Sequence, residues 1–184
     1  MKGSVERLIF SKEIEETNIT HYNHTKIREA VRAIIIKNDK ILLIHSNKGD
    51  YKFPGGGVEE NESHDEALIR EVKEETGYVN CQVHTKIGFI CENKMDEYMD
   101  NTLFQMRSHY YLCQLMNDES IAQQLVDYEI IQQFTPKWIS IDEAIRQNES
   151  LMNDSGINDW VPRETFVLKE LKKNLNHIGG DSHS

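Results

Sequence analysis

An α/β/α sandwich, a mixed β-sheet with helices on both faces, is the fold class that this sequence predicts. Three observations predict it. Two apolar, β-branched runs flank a tight turn in "EAVRAIIIKNDKILLIHS"; a well-capped helical segment follows a glycine-rich loop; and further strand patterns then give way to two helical ones. The order reads β-β-α-β-β-β-α-α, with no internal repeat and no linker, and 184 residues suit one well-packed domain.

Residues 1–28 are polar and weakly periodic and read as an N-terminal extension, with "HYNHTK" a loop or the entry to the first long strand. His21 and His24 have HxxH spacing, but exposed loop histidines are the commoner source of such pairs. In the hairpin, "AIII" and "ILLI" are near-continuous, as expected of strands covered on both faces, and Asn38-Asp39 suit the turn. "NKGDYKFPGGG" has the Gly and Pro content of a constrained loop. Ser63 is placed to cap the next helix, Glu66 completes a capping box, and Gly77 stops it. "YVNCQVHTKIGFICEN" and "TLFQMRSHYYLCQL" read as strands separated by the polar "KMDEYMD". "NDESIAQQLVDYE" is loop-like or partly helical, "PKWISI" a short strand and "DEAIRQ" a short helix. In "DWVPRETFVLKELKKNL" apolar residues recur at helical spacing and Pro162 fits a first turn. The domain is expected over 29–177, with 178–184 a flexible tail.

A formal net charge of −10 disfavours binding to nucleic acid or to an anionic membrane. It also means that a phosphate-bearing ligand needs local cations. Cys81, Cys91 and Cys113 form no CxxC pair and read as core fillers, which suits a reducing compartment. The start has no apolar signal run and no later segment is long enough to span a bilayer, so a soluble, cytoplasmic protein is expected.

The helix after the glycine loop carries Glu71, Glu74 and Glu75 within an arc of about 100°. Leu68 and Val72 form the core-facing pair beside that arc, whereas Glu66, Arg70 and Lys73 lie on its far side. Glu71 and Glu75 are an i,i+4 like-charge pair, and crowding near low dielectric raises its cost unless protons or cations intervene. Oxygen-only ligands suit Mg²⁺ or Mn²⁺ and do not suit zinc. The plain alternative is an acidic, solvated helix face.

The flanking residues weigh against that alternative. Gly56, Glu62, Arg70, Glu71, Glu74, Glu75 and Gly77 follow the spacing GX5EX7REUXEEXGU, in which U is a bulky aliphatic residue. In this the chain closely resembles the Nudix (MutT-like) hydrolases, whose Nudix box it fills from Gly56 to Tyr78. Val72 meets the first aliphatic requirement and Tyr78, being aromatic, departs from the second. The resemblance runs from about Val31 to Ile145.

It implies a hydrolase that uses Mg²⁺ or Mn²⁺ to cleave the pyrophosphate of a nucleoside diphosphate joined to another group, by attack of water on phosphorus. Glu71, Glu74 and Glu75 would hold metal, with the Gly55 carbonyl a further ligand in a loop where glycine allows close approach. Glu71 or a downstream acid would activate the water, with Asp127 and Glu129 the candidates and Glu129 preferred. Arg70 and Glu62 look like a structural pair, and Gly56 and Gly77 like shaping residues of the box. Of the strand arginines Arg28, Arg32 and Arg107, one could reach a substrate phosphate. Phe53, with Tyr51 and Tyr98, could stack a base, although packing is the commoner role of such rings. ADP-ribose, nucleotide sugars, oxidised nucleoside triphosphates and dinucleoside polyphosphates remain open as substrates. The proline often found some fifteen residues past the box in ADP-ribose hydrolases is missing here. The family also includes homodimers, and modules that sense a nucleotide without cleaving it, although those tend to lose box carboxylates.

Overall fold

The computed structural model describes residues 8–16, 19 and 21–178. Its strands are β1 (Phe10–Glu15), β2 (His24–Lys37), β3 (Lys40–His45), β4 (Tyr51–Lys52), β5 (Cys81–Met95), β6 (Thr102–Leu115) and β7 (Thr135–Ile139). The helices are α1 (His64–Thr76), α2 (Asp127–Ile131), α3 (Ile141–Ser150) and α4 (Val161–Ile178). The mixed sheet with helices is as expected. β1 and β4 are additional to the expected elements, α2 starts within the stretch read as loop-like or partly helical, and β2 begins within the stretch read as an extension. The last residues of the expected tail, 179–184, lie outside the described residues. No helix among the described residues is long and apolar enough to cross a membrane.

The strands run β1-β5-β6-β2-β3-β4, with β7 on the other edge of β3. β1–β5 and β2–β6 are parallel pairs, whereas β5–β6 and all pairs of β3 are antiparallel. The expected hairpin forms, but β2 and β3 pair only at Ile36↔Ile41 and Lys37↔Lys40. Beyond that point they part, and the network divides into a four-stranded mixed portion and a three-stranded antiparallel one.

The glycine loop takes the edge of β2 that β3 leaves. Val31 N donates to Gly56 O (2.9 Å), Ala33 N to Pro54 O (2.8 Å) and Val58 N to Glu29 O (3.0 Å). A loop running along a strand in this way satisfies backbone groups that would otherwise be orphaned. It has a steric condition at Gly55, where φ is +143° and an added Cβ would lie 2.0 Å from the Val31 carbonyl oxygen. Only glycine fits there.

Apolar clusters cover both faces, as the continuous strand runs predict. One joins Ile34, Ile90, Tyr110 and Phe53 to Val167, Leu168 and Leu171 of α4. The other packs Val31, Ala33 and Ile35 against Leu68 and Val72 of α1, with Cys81 and Cys113. The three cysteines are free and buried, in keeping with a core-filling role.

Candidate functional site

Helix α1 starts and stops where its sequence says it should. Ser63 Oγ accepts from Glu66 N (3.3 Å) while Ser63 N donates to a Glu66 carboxylate oxygen (2.8 Å), a complete capping box. Gly77 is left-handed at φ 84°, and its N–H closes on Lys73 O. This phase turns Ala67, Leu68, Glu71, Val72, Glu75 and Thr76 inward. Glu71 and Glu75 are therefore buried with the core residues rather than at its boundary, and Glu74 is half-exposed.

Each buried carboxylate has a cation beside it. Glu75 accepts from Lys52 Nζ (2.6 Å) through one oxygen and from Gly55 N (2.8 Å) through the other. Burial pushes its carboxyl up to about 7, against the pull of Lys52. Burial also raises the Glu71 carboxyl, with Arg70 opposing it. Glu71 and the loop meet closely, for a Cβ on Gly56 would lie 2.4 Å from Glu71 Oε1. A side chain at 56 would therefore displace the Glu71 carboxylate from its present position.

Arg70 is the brace. Its Nε and Nη2 hold the two oxygens of Glu62 (2.7 and 2.9 Å), Nη2 also reaches Gly57 O (3.1 Å), and Nη1 donates to Glu71 (2.8 Å) and Glu74 (3.3 Å). The two-point grip of a guanidinium on a carboxylate fixes orientation as well as distance. It holds the Glu62 carboxyl below its usual range, the hydrogen bond from Arg70 being the main cause.

The Gly55 carbonyl accepts from Arg32 Nη1 (2.5 Å) and Lys52 Nζ (3.2 Å). Arg32 is itself buried, and its Nε has no hydrogen-bond partner. Arg32 is thus held against the glycine loop. Arg107 does not join it: Nε donates to Gln105 (2.6 Å) and Nη1 to Glu29 (3.4 Å). Phe53 is completely buried, its ring edge-on to Tyr110 at 5.6 Å and its N–H bonded to Glu164 (2.8 Å). That placement gives it a core-packing role in place of the expected stacking surface.

Glu129 is not the exposed loop acid that its context suggests. It is buried in the five-residue α2 and accepts from Val126 N (3.0 Å). The segment leading to α2 is tied to the end of α1, where Gln124 N donates to Glu74 O (2.8 Å) and Gln123 Nε2 to Glu75 O (2.5 Å). The half-exposed Tyr128 has its hydroxyl pushed upward by burial, then by the charges of Glu129 and Glu75, with Arg32 opposing. These influences put Glu129 in the electrostatic neighbourhood of the α1 carboxylates.

Sequence reasoning missed Lys52 and Gln123. Lys52 had a visible signal: it is the one charged residue in "YKFPGG", directly before the loop. Gln123 had none.

The groups expected to hold a metal, the carboxylates of Glu71, Glu74 and Glu75 and the Gly55 carbonyl, offer oxygen donors alone. That set fits a hard divalent cation such as Mg²⁺ or Mn²⁺. The family model described as NUDIX domain matches residues 26–164. An ADP-ribose pyrophosphatase of Methanocaldococcus jannaschii is 50% identical over 54 residues, covering 27% of this chain and 32% of that protein. The aligned stretch therefore spans about a third of that relative's length. Nudix hydrolase 25 of Arabidopsis thaliana is 25% identical over 133 residues, covering 65% of this chain and 76% of that one. Among solved structures, an ADP-ribose pyrophosphatase of Streptococcus suis superposes with a TM-score of 0.53 at 19% identity, covering 85% of this chain and 96% of that one. At that identity the likeness speaks for the fold alone.

Proposed function

The chain belongs to the Nudix family, and from that premise we propose that it hydrolyses the pyrophosphate link of a nucleoside diphosphate joined to another group. Mg²⁺ or Mn²⁺ would be held by Glu71, Glu74, Glu75 and the Gly55 carbonyl. The observation that carries the reading is that Arg70 Nη1 donates to both Glu71 and Glu74 while Glu75 accepts from the glycine loop at Gly55 N, so that helix and loop are tied together at the carboxylates. When bound, the ion supplies phosphate charge neutralisation and acidifies water.

The chain's own residues do the rest. Both hydrogen bonds to the Gly55 carbonyl come from cationic side chains. Arg32 and Lys52, held beside the box carboxylates by the Gly55 carbonyl, would be the side chains placed to meet a substrate phosphate. The unpartnered Nε of Arg32 favours Arg32 for this contact. Glu74, half-exposed and at 3.3 Å from Arg70, is the carboxylate with most freedom to adjust to the ion. Glu129 accepts the proton of the attacking water, a role that its burial and its link to the end of α1 support.

ADP-ribose or a nucleotide sugar is the preferred substrate class, in line with relatives named as ADP-ribose pyrophosphatases. Oxidised nucleoside triphosphates and dinucleoside polyphosphates complete the panel to be assayed. Product release is measured with Mg²⁺ or Mn²⁺ for the wild type and Glu74→Gln. Cleavage of one class, lowered roughly a hundredfold or more in the variant, is the expected result. Nucleotide binding without turnover would replace the hydrolase by a sensing module.

A further inference from the structure

Away from the carboxylates, the first residue of α1 meets the sheet in a second group of donors. His64 lies beside His109 of β6 with ring centroids 4.5 Å apart, and His109 Nε2 is 2.6 Å from Glu29 Oε2 on β2. One donor atom from each of Glu29, His64 and His109 lies within 4.8 Å of the others. From this geometry we propose that the three residues form a second metal site, selective for a transition ion of the zinc class and separate from the carboxylate site.

The donor set decides the class. Two imidazoles and one carboxylate suit Zn²⁺, whereas Mg²⁺ prefers oxygen. Three protein ligands also leave a fourth tetrahedral position for water. Bonds of about 2.0 Å put tetrahedral ligand atoms roughly 3.3 Å apart, so small side-chain shifts close the present spacing on an ion.

The surroundings orient the ligands. Tyr111 OH pairs with His64 Nδ1 at 2.8 Å, leaving Nε2 of that ring for coordination. Arg107 holds Glu29 by its other oxygen, Oε1, at 3.4 Å, and so leaves Oε2 directed at His109. Partners of this kind, which fix a ligand's tautomer and direction, are what metal-binding histidines ordinarily have. Among the described residues His109 Nδ1 is buried without a hydrogen-bond partner, and the ring's hydrogen bond is to Glu29. Glu29 is partly exposed, which gives an ion a route in. Opposing charges are present as well: Arg107, the nearby Lys86 and the positive N-terminal end of α1. The Glu29 carboxylate pairs with Arg107, and neutral imidazoles bind a zinc-class ion through lone pairs rather than net charge.

Equilibrium dialysis against Co²⁺ tests the site, with excess Mg²⁺ present to occupy the carboxylates and visible absorption reporting tetrahedral coordination. The wild type, His64→Ala and Glu74→Gln are compared. His64 is half-buried and its replacement leaves the Ser63–Glu66 cap in place; far-UV circular dichroism verifies the fold of each variant. Expected is one retained Co²⁺ with tetrahedral bands in the wild type and in Glu74→Gln, bound at least tenfold more weakly by His64→Ala. No retained ion in the wild type, equal retention by His64→Ala, or loss in Glu74→Gln would each overturn the proposal. Because the readout is metal retention, its failure is distinct from failure of the hydrolase reading.

Discussion

Along its last two turns α1 presents Glu71, Glu74 and Glu75, and at its first residue it presents His64. The carboxylate end is crowded with like charge, and cations from three directions restrain it: Lys52 from β4, Arg70 from the helix itself and Arg32 from β2. The histidine end has little net charge to restrain, and its order comes from ring contacts and from the Tyr111 hydroxyl. On the two proposals, one helix would offer hard oxygen ligands at one end and a borderline nitrogen ligand at the other. The difference teaches that metal preference is set by which elements meet the helix, not by the helix alone.

The comparison is broken most severely by acting on the carboxylate end through Glu129. Glu129→Gln is expected to cut turnover at least tenfold, a floor set below the ~10²–10⁴-fold that general base catalysis contributes, while leaving Co²⁺ retention unchanged. Steady-state kinetics on the folded variant decides, and a near-wild-type rate would remove Glu129 from the mechanism. Acting on the other end, Tyr111→Phe removes the hydroxyl that orients His64. Co²⁺ affinity should fall about tenfold, the lower end of effects seen for partners of metal ligands, with nucleotide turnover unaffected. Dialysis at graded Co²⁺ measures it, and an unchanged affinity would show that the tyrosine does not orient the ligand.

The smallest effect is on stability. The Glu75 carboxyl sits at about 7 in the folded chain against an ordinary value of 4.5, so the folded state holds its proton more tightly than the unfolded state. Its contribution is therefore full below the ordinary value and is lost as pH rises through about 7. In metal-free protein, the stability difference between wild type and Glu75→Gln should shift against the wild type between about pH 5 and about pH 8. Denaturant titration at both ends of that range provides the check; a difference independent of pH would mean that Lys52 keeps Glu75 ionised throughout.

The two sites also differ in how far a sequence can disclose them. The carboxylates, their brace and both helix caps fall between Gly56 and Gly77, where local spacing carries the information. The histidine cluster is spread over β2, α1 and β6. Glu29 pairs with Arg107 across the parallel strands, and His109, two residues on, shares its face. That proximity follows from strand register, which no local pattern records. β1 escaped notice for another reason: of "FSKEIE" only Phe10 is fully buried, so the strand lacks the alternation that would announce it. The parting of β2 from β3 was equally hidden, because both runs are apolar whether they pair with each other or with the glycine loop. Residue type leaves Phe53 open to stacking a base or packing the sheet, and its burial against Tyr110 makes it core.

Glu164 gives the glycine loop a dependence that the box does not contain. Its carboxylate accepts from the Phe53 N–H at 2.8 Å and from Tyr110 OH at 3.2 Å, while Arg163 donates to it. Helix α4 thereby anchors the strand end from which the loop departs. Natural variation in α4 can thus alter reaction rate with every box residue intact, and a fragment cut just before this helix would carry the complete motif on an unmoored loop.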